Sequence, residues 1–393
     1  MRKKPYRIAL LFNANKVYDR DIISGIGEYI HASNASWDVY IEDDFVIAKD
    51  VISHWSGDGI IADFDDLELA KTLLRKDMPI VGIGSSYHDE RMYPEIPYVA
   101  TDNDSVVELA YKHLKDKGIT QFAFYGLPDV ESKLWSYERE QAFKRLMKKY
   151  GHDHWVYRGL RSSSKTWEYS MHRLSDWVKQ LPKGTGIIAV TDARARHLLQ
   201  VCDNSDIIVP DDLAIIGVDN ERVARHLTRV SLSSVEHSCR KMGFNACKML
   251  HKKLEGGEIK NSRIVVPATR IFERQSSSYQ AIQDPSVIKS LHYIRTHIKD
   301  GIKVYHVLDE LRLSRSNLEM RFKNELGHTI HHEIHNTRLN MACSILSSTE
   351  IPISDVFSMC GYPSLQYMYS VFSKNMGMTP KEYRKAKLSN EAL

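Results

Sequence analysis

Nothing in this 393-residue sequence approaches the length of an apolar membrane span. Its basic start, Met1-Arg2-Lys3-Lys4-Pro5, is followed only by the strand-length run Ile8–Phe12, which ends at polar Asn13 and does not make a secretory signal. Cysteine is scarce. Cys202, Cys239, Cys247, Cys343 and Cys360 are odd in number and show no CxxC spacing. That pattern excludes a zinc ribbon and a disulfide framework, and the expectation is a reduced, cytoplasmic protein. No GxGxxG or GxxxxGK(S/T) follows the first strand-like run, so nucleotide binding has no support, and Gly82-Ile83-Gly84 is only the end of a strand. His328, His331, His332 and His335 lie close together, but their order is not HExxH and no neighbouring cysteine completes a ligand set. Solvated or phosphate-facing histidines are expected there, with no metal and no cofactor.

Charge of one sign is also in short supply. The net charge is +4, from 54 Lys+Arg against 50 Asp+Glu. From Pro285 to Leu393 there are 14 basic and 10 acidic residues, which leaves 40 of each in the first 284. The whole excess lies at the C-terminal end, where contact with phosphates would use it.

What is present falls into two patterns. Residues 6 to about 272 alternate apolar strands with helices. The order is Tyr6–Phe12, helix Asp19–Ser33, Val39–Glu42, a helix around Ala48–Trp55, Gly59–Phe64, helix Leu67–Arg75 and Ile80–Gly84. A second half follows with Tyr98–Thr101, helix Asp104–Lys117, Phe122–Tyr125, helix Ser136–Tyr150, helix Trp167–Leu181, Gly186–Thr191, helix Ala193–Asn204, Ala214–Val218 and helix Cys239–Leu254. Continuous Ile/Val/Leu strands between helices predict parallel sheets covered on both faces. The length predicts two α/β lobes with a cleft between them, and ligands of such sheets bind outside the carboxyl ends of the strands.

Those ends are polar. The first strand runs into Asn13, Asn15, Tyr18 and Asp19, the third into Asp63 and Asp65, and the fourth into Ser85 and Ser86. Later ends carry Asp192 with Arg194, and Asp219 with Asn220, while Trp135 and Arg139 open the helix after Tyr125-Gly126. Carboxylates and amides pair with hydroxyls and aromatic rings cover C–H faces, so the set suits a small polyhydroxy ligand. Taken singly, each residue is equally well explained as a cap or turn former. Asp63, Asp192 and Asp219 could form an acid/base set, but nothing supplies a nucleophile or metal, and an enzyme is not expected.

The second pattern is a duplication. Val304, Val307, Leu308 and Leu311 mark a short amphipathic helix, and Ser314 opens another that carries Leu318, Phe322 and Lys323 and stops at Gly327. Ile353, Val356, Phe357 and Cys360 repeat the first helix at an offset of 49. Ser364, Met368, Phe372 and Gly377 repeat the second at 50, so one extra residue sits in the second turn. Ser314 and Ser364 are N-cap residues, and the glycines stand where a helix stops. A helix, a tight turn and a capped second helix make a helix-turn-helix, whose second helix fits a DNA major groove. A generic helical-hairpin repeat is the plainer alternative. Gln275–Asp284 is polar and serine-rich. It divides a sensor domain (1–275) from a DNA-binding domain (285–388), with 276–284 as linker.

The stretch from Ser354-Asp355-Val356 through Cys360-Gly361-Tyr362, with Phe372, Gly377, Thr379-Pro380 and Tyr383-Arg384, resembles the signature of AraC/XylS-type transcription activators. Ser314-Arg315-Ser316-Asn317-Leu318 and Arg321-Phe322-Lys323 fit it too, and the resemblance covers about 285–388. Asn13-Ala14-Asn15-Lys16, Thr191-Asp192-Ala193-Arg194 and Ile216-Gly217-Val218-Asp219-Asn220 resemble the periplasmic-binding-protein-like core of LacI/GalR-type regulators, without their N-terminal headpiece. The fusion of the two, with Pro363-Ser364-Leu365-Gln366-Tyr367, is similar to the xylose operon activators of enteric bacteria.

That resemblance implies a homodimeric activator with D-xylose as effector, binding promoter DNA and recruiting RNA polymerase. It puts Arg139, Asp192 and Asp219 on the sugar with Arg194 and Asn220 beside them, and Asp19, Ser86 and Trp135 nearby. It offers Arg315, Ser316, Glu319 and Met320, then Ser364, Leu365, Gln366, Tyr369 and Ser370, to base edges. Arg321, Lys323 and Lys374 fall where phosphates are contacted. The family often carries a basic residue at the positions of Met320 and Ser370, so arginine–guanine readout has no donor here at those places. The competing expectation is a sugar-binding module or enzyme whose C-terminal helices serve assembly only.

Overall fold

The computed structural model describes residues 4–41, 52–128, 133–161, 163–259, 261–280 and 282–391. The chain forms two compact units, Met1–Ala281 and Ile282–Leu393.

In the first unit the order is β1 (Tyr6–Leu11), α1 (Val17–Ala32), β2 (Trp37–Ile41), β3 (Gly59–Asp63), α2 (Leu67–Leu73), β4 (Ile80–Ser85), β5 (Tyr98–Thr101) and α3 (Asn103–Asp116). Then come β6 (Gln121–Tyr125), α4 (Leu134–Tyr150), β7 (His154–Tyr157), α5 (Trp167–Gln180), β8 (Thr185–Ala189), α6 (Asp192–Asp203), β9 (Leu213–Val218) and α7 (Arg222–His226). β10 (Ser233–Glu236), α8 (Cys239–Leu254), β11 (Arg263–Val266) and β12 (Arg270–Phe272) complete it. The helix expected around Ala48–Trp55 lies partly outside the described residues, and Ile52–His54 is a single 3-10 turn.

The strands make two six-stranded sheets, ordered β2-β1-β3-β4-β5-β11 and β7-β6-β8-β9-β10-β12. Among the described residues all pairings are parallel except the edge pair β10/β12. β3, β4, β8 and β9 are buried along their whole length. Each sheet has an apolar layer on both faces: Ile8, Leu10 and Ile22 opposite Leu11, Ile60 and Leu73 in one, Phe124, Phe143 and Ile216 opposite Ile187, Leu198 and Ile215 in the other. Burying each such side chain stabilises by roughly 1.5–3 kcal/mol.

The lobes are not consecutive halves of the chain, as the strand–helix rhythm suggested. β5 closes the first sheet, the chain passes at Asp102 to α3 on the second, returns at His237-Ser238 to α8 and β11 on the first, and crosses again between β11 and β12. β7, β10, β11 and β12, each four residues or fewer, carried no distinct sequence signal. α8 packs directly on α1. A Cβ at Gly25 would stand 1.9 Å from the Arg240 carbonyl oxygen and one at Gly243 2.0 Å from that of Ile22, so only glycine permits this approach.

The start of the expected linker is part of the fold. Ser276 and Ser277 are fully buried: Ser276 Oγ donates to the Ile215 carbonyl (2.7 Å) and Ser277 Oγ to Ser233 Oγ (2.8 Å). Serine-rich composition reads as solvent-exposed, but here the hydroxyls satisfy β9 and β10.

The second unit is all helical: α9 (Pro285–His297), α10 (Val304–Leu311), α11 (Arg315–Leu326), α12 (Ile330–Ser348), α13 (Ile353–Met359), α14 (Leu365–Met376) and α15 (Pro380–Glu391). α10–α11 and α13–α14 are the two helix-turn-helix pairs. Ser314 Oγ accepts from Asn317 N (3.4 Å) and Ser364 Oγ from Tyr367 N (3.2 Å), while Gly327 and Gly377 end their helices at φ +75° and +68°. Both turns pass through a left-handed residue, Arg312 (φ +53°) and Gly361 (φ +68°), after which Leu313 N bonds Leu308 O and Tyr362 N bonds Phe357 O. Glycine is required only in the second, where a Cβ would meet the Ile298 oxygen at 2.0 Å.

The duplication reaches further. Arg338 Nη2 donates to the Ile302 carbonyl and Arg384 Nη2 to that of Ile351, each at 2.5 Å and each just ahead of the first helix of a pair. α12 serves both halves, burying Ile330 and Ile334 with the first pair and Leu339 and Leu346 with the second.

Candidate functional site

The carboxyl ends of β1, β3 and β4 gather acidic groups. Asp19 is fully buried. Its Oδ2 accepts from Asn13 N (2.8 Å) and lies 3.8 Å from Lys16 Nζ, while Oδ1 has no hydrogen-bond partner. Asp63 Oδ1 accepts from Asp65 N (2.9 Å), and its Oδ2 is 3.5 Å from Lys16 Nζ. Asp65 accepts from Ser85 N (3.0 Å) and Ser85 Oγ (3.4 Å). Burial, and then the charge of Asp63, push the carboxyls of Asp19 and Asp65 up to about 7.

The opposite lobe contributes Arg139, 5% exposed and with its guanidinium 4.8 Å over the Trp135 ring. Arg139 donates through Nε to Asn103 Oδ1 (3.1 Å) and through Nη1 to the Val190 carbonyl (2.8 Å), and its Nη2 lies 3.1 Å from His237 Nε2. The same Nε2 is 3.2 Å from Asp219 Oδ1. Asp219 and Asn220 are held at φ +108° and +52°. Such a conformation costs on the order of 1–3 kcal/mol and persists only where surroundings enforce it.

They do so here. Asp192, fully buried, accepts from Ser234 Oγ and from Glu221 N, both at 2.7 Å. Burial and the nearby Asp219 charge hold its carboxyl well above the usual range. Asn220 Oδ1 accepts from Arg274 Nη2 (2.7 Å), and Asn220 Nδ2 reaches Glu236 (3.4 Å).

The residues expected on the ligand therefore divide. Arg139, Asp219 and Trp135 come together with His237 and Asn103, and Tyr18 packs edge-on against His237 at 5.4 Å while hydrogen-bonding Thr101 Oγ1 (2.7 Å). Asp192 and Asn220 instead spend their polar atoms on the strained turn. Arg194 donates to the Tyr125 hydroxyl (2.9 Å) and lies over that ring. Ser86 Oγ accepts from Asn103 N (3.0 Å) beside the first crossing, and Asn15 is exposed. Two surface grooves, of about 530 Å³ at Tyr93 and Arg263 and about 570 Å³ at Tyr293 and Leu313, are lined by none of these residues.

In the helical unit, Arg315, Ser316, Met320 and Lys323 are exposed on α11, and Gln366, Ser370 and Lys374 on α14. Five expected contacts are engaged within the unit instead. Glu319 Oε2 accepts from Ile330 N (3.3 Å) at the start of α12. Arg321 bonds Asn317 Oδ1 and Asp284 Oδ2, each at 2.6 Å. Leu365 and Tyr369 pack on the core of the second pair, and the Ser364 hydroxyl is engaged as the cap. The family resemblance offered all of these together, without distinguishing side chains held within the unit from those left exposed. Tyr367, 44% exposed beside Gln366, was not anticipated. The histidines make no metal group among the described residues; His328 lies between the Leu326 carbonyl and Glu333 (2.8 Å).

Residues 7–104 match the XylR N-terminal domain, 111–277 the periplasmic binding protein-like domain and 307–386 the helix-turn-helix domain. The chain is 52% identical over 384 residues to the xylose operon regulatory protein of Escherichia coli K12, with 98% of each covered. The chain belongs to the xylose operon regulatory protein family. It is also similar to a solved xylose-binding transcription activator, xylR, with a TM-score of 0.88 and 51% identity over 98% of this chain and 99% of that one. A LacI family transcriptional regulator from Bifidobacterium animalis matches 70% of this chain at a TM-score of 0.55 and 21% identity, which shows a shared fold alone.

For this member of the xylose operon regulatory family, sequence reading missed Lys16, Asn103 and His237, and named Asp65 without placing it among the ligand residues. Asp65 had a signal, two residues past Asp63 at the same strand end. Asn103 and His237 had none, because they acquire their position from the crossings between lobes.

Proposed function

We propose that this chain is a D-xylose-responsive transcription activator. The sugar binds between the two lobes of the first unit and alters how a homodimer presents its four recognition helices to promoter DNA, which tightens binding and recruits RNA polymerase in the cytoplasm. The observation that carries the reading is similarity along 98% of the chain to a xylose operon regulatory protein, sensor and helix pairs included. Arg139 and Asp219, which both lie against His237 Nε2, with the Trp135 ring under the guanidinium, support a polyhydroxy ligand, since a carboxylate takes hydroxyl protons, a guanidinium donates to hydroxyl oxygens and a ring covers C–H faces. Among base-reading candidates, exposure favours Arg315, Ser316, Met320, Gln366 and Ser370, with Lys323 and Lys374 on phosphates.

Titration calorimetry of the full chain with D-xylose tests the site. The wild type is expected to bind, and Asp219→Ala to lose at least tenfold in affinity, the scale of one charge-assisted hydrogen bond (about 1.5–3 kcal/mol). Unchanged affinity in the variant would remove Asp219 from the site.

A further inference from the structure

His237 Nε2 faces two neighbours that make incompatible demands. Arg139 Nη2, 3.1 Å away, can only donate a proton to it. Asp219 Oδ1, 3.2 Å away, can only accept one while ionised. A single ring nitrogen cannot be lone pair for the first and N–H for the second. With the ring neutral and its proton on Nδ1, Nε2 accepts from Arg139 and offers Asp219 nothing. With the ring protonated, Nε2–H bonds Asp219 and turns a positive edge toward the guanidinium. Nδ1 itself is buried without a partner, so nothing on that side fixes the tautomer.

The position of the ring gives this conflict a consequence. His237 lies on the second crossing, between β10 of one lobe and α8 of the other, and the Tyr18 ring from the first lobe packs against it. We propose that His237 is a positioning residue that, when neutral, leaves Asp219 Oδ1 free to accept an effector hydroxyl, and that protonation of the ring shuts the site by pairing it with Asp219. This rests on the sugar-binding reading above and adds its regulation: effector and proton compete for one carboxylate.

The charged and titratable neighbours set the direction. Burial, then the Arg139 charge, hold His237 below its ordinary value of 6.5 against the opposing pull of Asp219. The ring is therefore neutral at pH 7.5, and the site open. Tyr18 on α1 and Cys239 on α8 are both raised well above their ordinary values by burial, so they stay neutral across this range. Asp65 and Asp19 at the other lobe's strand ends titrate near 7 and give a separate dependence of their own. Removal of His237 distinguishes the two.

The experiment is calorimetry with D-xylose on the full chain from pH 5 to 8, for wild type and His237→Gln, with nitrogen-15 NMR of the histidine rings in the wild type. Expected are binding at pH 7.5, affinity falling by up to tenfold per pH unit below the pKa of His237, loss of that limb in the variant, and an unprotonated Nε2 at pH 7.5. Binding without a His237-dependent acid limb, or a ring protonated on Nε2 at pH 7.5, overturns the inference and leaves the sugar site standing. Absence of binding at pH 7.5 overturns the sugar site and the inference together. If the variant does not fold, the NMR arm decides: the pKa of His237 must fall when xylose is added.

Discussion

Asp19 has one carboxylate oxygen bonded to Asn13 N and the other buried without a donor. A buried polar atom left unpaired costs about 1–3 kcal/mol, more if charged, so the group is better accommodated with its proton on. Burial first, and then Asp63, raise it to about 7, and Lys16 only partly offsets them. In the unfolded chain the same carboxyl releases its proton near 3.8. The folded state thus binds the extra proton between about 4 and 7, and stability falls as pH rises through that window. Thermal melting without sugar is expected to show Asp19→Asn close to wild type at pH 4.5 and more stable than wild type at pH 8. A variant less stable at pH 8 would mean that the carboxylate is paired after all. The residue types at these strand ends were legible in the sequence, because Asp and Asn after an apolar run mark the ligand side of a parallel sheet. Which of them faces ligand was not. Asp192 and Asp219 look alike in sequence, and only the fold spends one on the Glu221 and Ser234 donors and exposes the other to His237.

At the scale of elements, the two helix pairs were legible nearly residue by residue, because a helix-turn-helix is built from local rules. N-cap serines, glycine stops and apolar residues at helical spacing each act within a few positions. The short strands at the lobe crossings were not, since β11 pairs with β5, far back in the chain, and β10 (Ser233-Ser234-Val235-Glu236) carries little apolar pattern of its own beside its neighbour β9. Helix α11 shows what the family resemblance leaves open. Arg321 and Lys323 both read as phosphate contacts, yet Arg321 is bound to Asn317 and Asp284 while Lys323 is exposed. Arg321→Ala is expected to cost roughly 1–2 kcal/mol of stability in denaturant unfolding, allowing for its partial exposure. Lys323→Ala is expected to leave stability unchanged, weaken all DNA alike and reduce the salt slope of binding by about 1. The reverse pattern would return Arg321 to the interface.

The molecule as a whole joins a periplasmic binding protein-like unit to a helix-turn-helix unit, and each keeps its own core. The proposed function depends on coupling between them, a free energy that neither unit carries alone. By reciprocity, xylose tightens promoter binding only to the extent that promoter DNA tightens xylose binding. The most direct measurement is fluorescence anisotropy of the full chain on labelled promoter DNA from a xylose operon, at physiological salt with random competitor, with and without D-xylose. Preferential binding that strengthens several-fold with the sugar is expected. Binding no better than competitor, or a Kd that the sugar leaves unmoved, would contradict the account.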